Sequence, residues 1–252
     1  MTMSNDTASG KMQNNVPLYN NFRIGRLFDN SWDQVKGAKG SIWGAFIIYL
    51  IIQILLSLLT SKPHDPTTTM YLSIISLIGS LVFFPLMPGL YYLGVRRSAN
   101  LPLKVRMIFN PYNRFFHLLG TLFSSLISWI IVASIGGGII YLSRMIPMTI
   151  VSYIGIALGV IIVAFSIFLL VGFLLFAPML VFEKKMGVFA AMGASLTGFT
   201  RHFLKLVICF FVLGILMDLS IIPIFIGLIW TIPLAVIVYG NIYRSIFGVM
   251  ED

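Results

Sequence analysis

The side chains of this sequence that could do chemistry are few and lie far apart along the chain. The three histidines are His64, His117 and His202, and the single cysteine is Cys209. Their spacing matches none of the common metal, nucleophile or phosphate motifs, such as HExxH, CxxC, GxSxG, the P-loop and GxGxxG. Serines are numerous, but none has an evident base. The sequence therefore predicts no catalytic residue, no metal site, no cofactor and no enzyme activity.

Polar side chains within the apolar segments are the next candidates for function. Gln53 lies deep in the first apolar run, and Tyr239 and Asn241 lie near the end of the last one. A polar group inside a bilayer needs a hydrogen-bond partner. No Asp, Glu, Lys or Arg falls near the middle of a run, which argues against a proton relay of the usual kind. Gln53 and Asn241 are therefore each expected to need a hydrogen-bond partner.

Prolines interrupt several apolar runs, most clearly in FFPLMPGLYYLGVRR at residues 83–97. Pro85 and Pro88 have no N–H, so two backbone carbonyls lose their helical partners and the helix should bend. The favoured interpretation is a bend, and the alternative is a functional cavity between bent helices. The candidate cavity or hinge residues are Leu81, Phe84, Pro85, Pro88, Gly89, Pro178 and Pro233.

The composition places the chain in a membrane. Of its 252 residues 58% are hydrophobic and 10% are charged, and the mean hydropathy is +0.97. Soluble domains carry about 25% charged residues. The net charge of +9 is typical of basic residues beside membrane helices, so nucleic acid is not an expected partner. The first apolar run begins only near Ser41, so no cleavable signal peptide is expected.

The apolar runs are long enough to cross a bilayer as helices, which takes about 20 residues each. The runs are Ser41–Leu59, Met70–Val95, Phe116–Leu142, Pro147–Phe182 and Leu206–Gly240. Turn and helix-start residues divide the last run into about Phe203–Ser220 and Pro223–Phe247. The prediction is an all-α polytopic bundle of six transmembrane helices in residues 36–250. Residues 1–35 are predicted to form a mobile polar cytoplasmic tail.

The distribution of positive charge orients these helices. If the fourth run is one helix, both termini lie on the same side of the membrane. Of the 17 lysines and arginines, only Lys62 and Arg144 then lie on the other side. If the fourth run were a hairpin, the basic residues between positions 184 and 205 would move outward. The positive-inside rule therefore predicts a single fourth helix and cytoplasmic N- and C-termini.

A weak threefold pattern runs through the chain. A basic, aromatic segment precedes each odd-numbered span, and each even-numbered span carries proline before a basic residue. The pattern indicates either three repeated helical hairpins or the usual flanks of a polytopic protein. Basic residues near the cytoplasmic ends are expected to contact anionic lipid head groups. These residues are Arg96, Arg97, Arg106, Arg114, Lys184, Lys185, Arg201 and Lys205.

Two further patterns concern packing. Residues 189–203 place apolar side chains on one helical face and Ser195 on the opposite, polar face. The segment is either a helix in the membrane interface or a cytoplasmic extension packed on its neighbours. Gly155 and Gly159 form a GxxxG pattern that predicts close helix contact. Glycines at residues 136–138 are expected to loosen the outer end of the third span.

Three segments resemble a known group of proteins. They are residues 85–97, 176–196 and 226–248, and the similarity extends over about residues 30–248. They resemble six-span bacterial inner-membrane proteins of poorly characterised function, which are loosely related to the membrane domain fused to some glycerophosphoryl diester phosphodiesterases. The resemblance implies a six-helix domain of the bacterial inner membrane. It implies no catalytic residue, because none is associated with the membrane part, and phosphodiesterase activity is not expected without an attached soluble domain.

The function expected from the sequence is a non-enzymatic one in the bacterial cytoplasmic membrane. We expect a scaffold or accessory subunit that contacts membrane lipids, with anionic head groups on its cytoplasmic side. A protein partner or a second copy of the chain is the other expected contact. The alternative is a small transporter or channel for an apolar or lipid-like molecule, with the proline-bent helices as hinges.

Overall fold

The computed structural model describes residues 22–60, 66–146, 150–222 and 225–248. The regular structure of these residues is all helical, as the sequence predicts. The elements are α1 (Ile24–Val35), α2 (Lys39–Thr60), α3 (Pro66–Phe83), α4 (Leu86–Ser98), a 3₁₀ segment (Val105–Arg114), α5 (Phe115–Met145), α6 (Ile150–Glu183), α7 (Val188–Arg201), α8 (Phe203–Ile221) and α9 (Leu228–Phe247). Four residues named in the sequence predictions lie outside the described residues: Lys62, His64, Pro147 and Pro223.

Five helical stretches are long and apolar enough to cross a membrane, so the chain is a membrane protein. They are Lys39–Leu58, Thr67–Ser98, Val105–Met145, Ile150–Glu183 and Phe203–Ile221. α9 occupies the sixth predicted span but is not one of the five. It carries Asn241 and Arg244 and is largely buried from Thr231 to Phe247 against neighbouring helices. Contact with protein rather than lipid explains why α9 tolerates polar residues.

The helix boundaries test the division of the apolar runs. The fourth run is one helix, α6, of 34 residues, and the fifth run divides into α8 and α9; both predictions are confirmed. The second run is broken between Phe83 and Leu86, where Pro85 immediately precedes α4. The proline therefore separates two helices with different surroundings.

α4 and α9 form the centre of the fold. Gly94 and Gly240 lie together where the helices meet, and a Cβ atom added to Gly240 would lie 2.6 Å from Val95 N. Buried side chains such as Leu93 and Met179 surround this contact. In contrast, α3, α5, α6 and α8 expose many large apolar side chains, as expected for helices that face lipid. The protein core therefore sits around α4, α9 and the end of α6.

The predicted mobile tail is wrong for residues 24–35, which form α1. Leu27 and Ser31 are buried, and α1 packs on α9. Asn241 Nδ2 donates one hydrogen bond to Ser31 Oγ at 2.9 Å and another to Gln34 Oε1 at 2.8 Å. Ser31 and Gln34, two polar residues of the predicted tail, thus bond to α9. The expected partners of Asn241 also come from this segment.

The glycines of α5 and α6 hold these two helices close together. A Cβ atom on Gly159 would lie 2.5 Å from Ile140 Cγ1 and 2.7 Å from the Gly136 carbonyl oxygen. Gly155 faces Ser143 in the same interface. The close contact predicted from GxxxG is confirmed. The prediction that residues 136–138 loosen the helix is wrong, because α5 is continuous to Met145.

α7 packs on neighbouring helices, as in the second of the two predicted arrangements. It lies against α6 and buries Ala191, Met192, Ser195, Gly198 and Phe199. The buried face differs from the predicted one, because Phe189 is 79% exposed whereas Ser195 is fully buried. The small polar serine is inside because it bonds to the backbone of α6.

Candidate functional site: an apolar cleft at the helix bends

An apolar cleft of about 390 Å³ lies between α4, α6 and α9. Small-molecule sites commonly enclose about 300–1,000 Å³. The break before α4 and the α4 helix form one wall, α6 forms the second, and α9 contributes one tyrosine. The lining residues are Phe84, Met87, Pro88, Tyr91, Leu170, Val171, Leu174, Leu175, Pro178, Met179 and Tyr239.

Two prolines from different helices line this apolar cleft. Pro88 comes from α4 and Pro178 from α6, and the predicted cavity residue Phe84 lies with them. The other predicted cavity or hinge residues, which lie outside the lining, are Leu81, Pro85, Gly89 and Pro233. Gly89 packs instead on the 3₁₀ segment, where an added Cβ atom would lie 2.9 Å from Ile108 Cα. The cleft thus forms where two bent helices diverge.

The backbone carbonyls that the two prolines leave without helical partners are paired locally. Phe84 N donates to the Leu81 carbonyl at 3.4 Å, and Met87 N donates to the Phe84 carbonyl at 3.2 Å. Tyr112 Oη donates to the Val82 carbonyl at 3.1 Å. The chain turns tightly at the break, and these bonds replace the longer helical ones. The carbonyls of Leu81 and Phe84 therefore need no ligand.

Two stacked tyrosines are the polar residues of the apolar cleft. The rings of Tyr91 and Tyr239 have centres 4.2 Å apart and planes inclined by 26°. Tyr239 Oη donates to the Leu175 carbonyl at 2.8 Å. Among the described residues, the Tyr91 hydroxyl has no hydrogen-bond partner. Tyr91 is therefore the lining residue that can bond a polar atom of a bound molecule.

The apolar cleft opens toward the lipid-facing surface of α6. Val171 on its rim is 46% exposed, and Leu170 and Leu174 are half-buried. α6 is one of the helices suited to cross the membrane, and its exposed neighbours Ile161 and Ile167 are apolar. A molecule with an apolar chain can therefore enter from the bilayer without passing through water.

Ser195 of α7 inserts its hydroxyl into the hydrogen bonding of α6, beside the cleft. Ser195 Oγ donates to the Gly172 carbonyl at 2.6 Å and accepts from Phe176 N at 3.1 Å. Those two backbone groups are four residues apart, the spacing at which a regular α-helix pairs them directly. Insertion of a side chain at such a place bends a helix. Ser195 and Pro178 therefore both favour a bend in this part of α6.

Several predicted head-group residues are used for contacts within the protein. Arg97 donates from Nε to the Gln34 carbonyl at 2.7 Å and from Nη2 to the Lys36 carbonyl at 2.6 Å. Arg114 Nη1 donates to the Val181 carbonyl at 3.0 Å. These guanidinium groups satisfy carbonyls at the ends of α1 and α6, so Arg97 and Arg114 tie helices together.

The remaining predicted head-group residues differ in exposure. Arg96 is half-buried, and its Nη1 donates to Tyr92 Oη at 3.2 Å. Lys184 and Lys205 are also half-buried. The exposed members are Arg106, Lys185 and Arg201. The structure thus separates the predicted set into structural and accessible members.

The remaining candidate residues are Gln53 and the histidines. Gln53 is exposed on α2, and the described residues do not supply the hydrogen-bond partner that its position requires. His117 is exposed, and His202 is buried between α7 and α8. Residues 22–60, 66–146, 150–222 and 225–248 hold no group of three His, Cys, Asp or Glu that could ligate a metal.

Sequence reasoning did not select Tyr91, Leu174 or Ser195 as site residues. Tyr91 follows Pro88 by three residues, which in a helix places both on one face, so that spacing was an available signal. Leu174 precedes Pro178 by four residues, a spacing that also places both on one helical face. Nothing in the sequence marks Ser195, because its partners belong to another helix.

Comparison of the chain with family models, with curated proteins and with solved structures gives no match. The resemblance to six-span inner-membrane proteins therefore stays a prediction. The function proposed below therefore depends on the geometry of the apolar cleft.

Proposed function

We propose that the chain is a non-enzymatic scaffold or accessory subunit of the bacterial cytoplasmic membrane that binds a lipid by its acyl chain. The apolar cleft between α4, α6 and α9 is the observation that carries this proposal. The acyl chain lies between Met87 and Leu174, and the Tyr91 hydroxyl donates to a polar atom of the lipid such as an ester carbonyl. Tyrosines are the only titratable side chains in the lining, which favours binding over catalysis.

The energetics of this binding differ from those of a soluble pocket. An acyl chain leaves a bilayer that is already apolar, so little hydrophobic free energy is gained. Shape complementarity and the Tyr91 hydrogen bond must supply the preference. A hydrogen bond of this kind contributes about 0.5–1.5 kcal/mol, which is a preference of about tenfold at most. We therefore expect a lipid that exchanges with the bilayer.

The acyl-chain site is tested with a phospholipid that carries a photoactivatable diazirine on its acyl chain. The protein is reconstituted with this lipid and irradiated, and mass spectrometry locates the adducts. Adducts should concentrate on residues that line the cleft, such as Val171 and Leu174, rather than on Ile161, which is 64% exposed on the same helix. Equal labelling of all lipid-facing residues of α6 contradicts the proposal.

A matched pair of variants controls for changes in the surface of α6. Leu174→Trp fills the cleft, whereas Ile161→Trp adds the same side chain to an exposed position of the same helix. Only Leu174→Trp should remove the concentrated adducts. Retention of the adducts in Leu174→Trp excludes the cleft as the acyl site.

The scaffold part of the proposal is supported by Gln53. Its exposed amide lies on a helix suited to cross the membrane, where an unpaired polar group is costly. An amide both donates and accepts, so it can pair with a partner helix or with a second copy. Light scattering after purification in a mild detergent measures the assembly size. Gln53→Leu should shift it toward the monomer, and the neighbouring change Leu50→Val should not.

A small transporter for an apolar or lipid-like molecule is the second candidate. The observation that favours it is the position of Pro88 and Pro178 on opposite walls of one cleft, where both helices are able to hinge. Cysteines introduced beside the prolines at Met87, Met179 and Leu234, in a Cys209→Ser background, report on water access. Reaction of these cysteines with a water-soluble thiol reagent supports the transporter. Uniform protection supports the scaffold.

The proposal includes six spans with both termini cytoplasmic and three repeated units. Gly198 contacts Phe247, so α9 ends beside α7, close to where α8 begins. Against this, Trp43 Nε1 donates to the Ile229 carbonyl at 3.1 Å, so the first turns of α2 and α9 are also close. In the proposed topology both contacts involve cytoplasmic helix ends, so α9 is the span whose crossing needs a direct test. The order of elements supports three repeated units, because α1, the 3₁₀ segment and α7 each precede one proposed hairpin.

Cysteine labelling in intact cells tests this topology. In the Cys209→Ser background, Asn100→Cys and Gly248→Cys should resist a membrane-impermeant reagent until the cells are opened. Ile146→Cys should react from outside. Labelling of Gly248→Cys from outside means that α9 does not return the chain to the cytoplasm.

A further inference from the structure

A second cavity, separate from the apolar cleft, lies between α1 and the end of α9. This basic pocket has a volume of about 510 Å³. α1 contributes Arg26 and Asn30, with Arg23 just before the helix, and α9 contributes Asn241 and Ser245. Among the residues that the structure describes, the lining holds two guanidinium groups and no carboxylate.

The charge of the basic pocket is not balanced within the described protein. Neither Arg23 nor Arg26 forms an ion pair or side-chain hydrogen bond with a described residue, and both are exposed. The first turn of α1 contains no acidic residue. A helix favours negative charge at its N-terminus, so two arginines there are destabilising. A bound anion would offset this cost and pair with both guanidinium groups.

The walls of the basic pocket are held in place by other contacts. Asn241 Nδ2 bonds to Ser31 Oγ and Gln34 Oε1, which fixes α1 against α9. Phe22 forms another wall, and its ring centre lies 5.8 Å from that of His202 and 5.2 Å from Lys205 Nζ. Because the Asn241 amide hydrogens are used, Arg23, Arg26 and Asn30 are the side chains that can donate to a ligand.

We propose that the basic pocket binds the phosphate group of a phosphate ester. Arginine donates paired hydrogen bonds that match phosphate oxygens, and the Asn30 amide is a neutral donor beside them. The volume exceeds that of a phosphate group alone, so the pocket also accommodates part of the esterified group. The ester is a phospholipid head group or a soluble phosphate compound. This site is independent of the acyl-chain site, since none of its lining residues lines the apolar cleft.

The test compares two double variants with the same loss of charge. Arg23→Gln/Arg26→Gln removes the guanidinium groups of the basic pocket. Lys36→Gln/Lys104→Gln removes two exposed charges outside its lining, one just after α1 and one just before the 3₁₀ segment. Each protein is placed in phosphatidylcholine nanodiscs at about 0.15 M ionic strength, because salt screens exposed charges. One arm adds phosphatidylglycerol to the nanodisc, and the other titrates inorganic phosphate. The midpoint of thermal unfolding and native mass spectrometry report binding.

We expect the arginine variant to bind at least about tenfold more weakly than the wild type, the scale of lost charge-assisted hydrogen bonds. The Lys36/Lys104 control should stay within about twofold, as expected for exposed charges. Asn30→Asp places a carboxylate in the basic pocket without removing an arginine. It should weaken binding too, and this variant decides the matter if the arginine variant does not fold.

The two arms identify the source of the phosphate. Binding of phosphatidylglycerol that inorganic phosphate displaces points to a lipid head group. Binding of inorganic phosphate without an effect of phosphatidylglycerol points to a soluble ester. Equal losses in both double variants mean that surface charge alone attracts anions, and that result overturns the proposal. Absence of binding by the wild type in both arms also overturns it.

Discussion

Gly94 of α4 and Gly240 of α9 lie backbone to backbone where the two central helices meet. A Cβ atom added to Gly240 would overlap the Gly94 carbonyl and lie 2.6 Å from Val95 N. Backbone atoms cannot change rotamer to make room, so the helices would have to separate. This contact lies next to Tyr239, and therefore it sets the distance between two walls of the apolar cleft.

Gly240→Ala should destabilise the protein. Overpacking of this kind costs about 1–3 kcal/mol, and for a chain of this size each kcal/mol lowers Tm by about 2–4 °C. Thermal unfolding in detergent, followed by tryptophan fluorescence, measures the change. Gly214→Ala is the control, because an added Cβ atom there meets nothing within 4 Å. An equal or higher Tm for Gly240→Ala than for Gly214→Ala would show that the two helices do not meet at this glycine.

Ser195→Ala should straighten α6 and disturb the apolar cleft. The hydroxyl that separates the Gly172 carbonyl from Phe176 N is lost, so these groups can pair directly. The loss costs about 0.5–1.5 kcal/mol for each hydrogen bond. Photolabelling of Leu174 by the diazirine lipid should fall. Thr197→Ala is the matched control, since that exposed hydroxyl bonds only within α7, to the Gly193 carbonyl at 2.8 Å. Equal effects of the two changes would contradict a bend maintained by Ser195.

Asn241→Ala should release α1 from the bundle. The change removes the donor to the buried Ser31 and the half-buried Gln34 and leaves each with one hydrogen bond fewer, at a cost of about 1–3 kcal/mol. Trypsin should then cleave after Arg26 faster than in the wild type, as measured by mass spectrometry of a digestion time course. Asn113→Ala, at an exposed position, should leave the cleavage rate unchanged. An unchanged rate for Asn241→Ala would mean that α1 docks without this hydrogen bonding.

His202 should make the protein sensitive to mild acid. Burial lowers the pKa of His202 below its ordinary value of 6.5, and the charges of Lys205 and Arg201 lower it further. Above pH 6.5 the imidazole is neutral in both the folded and the unfolded chain. As the pH falls through 6.5 toward the lowered pKa, the unfolded chain binds the proton more readily, so stability is lost.

Tm measured between pH 7.5 and 5.5 tests this acid sensitivity. His202→Gln should show a smaller decrease over this range than the wild type. His117→Gln, which changes an exposed histidine, should follow the wild-type curve. Parallel curves for the wild type and His202→Gln would show that protonation of His202 does not limit stability.

The sequence by itself determined the class of protein and the boundaries of its long helices. Apolar runs of fixed minimum length and prolines without an N–H act locally, so they predicted the single helix α6, the separate α8 and α9, and the break at Pro85. The GxxxG pattern likewise predicted the contact at Gly159, because small residues allow close approach wherever a partner helix is available.

Only the tertiary structure decided which of these features meet. Pro88 and Pro178 line one cleft because α4 and α6 pack beside each other, and no local rule pairs two distant bends. The sequence predicts a tail where the structure has α1. The prediction fails because Ser31 and Gln34 bond to Asn241, more than two hundred residues away, and no local pattern shows that contact. The sequence predicts that Arg97 contacts lipid, whereas in the structure it bonds to backbone carbonyls near the end of α1. Residue type sets what a side chain can bond, and packing sets which partner is within reach.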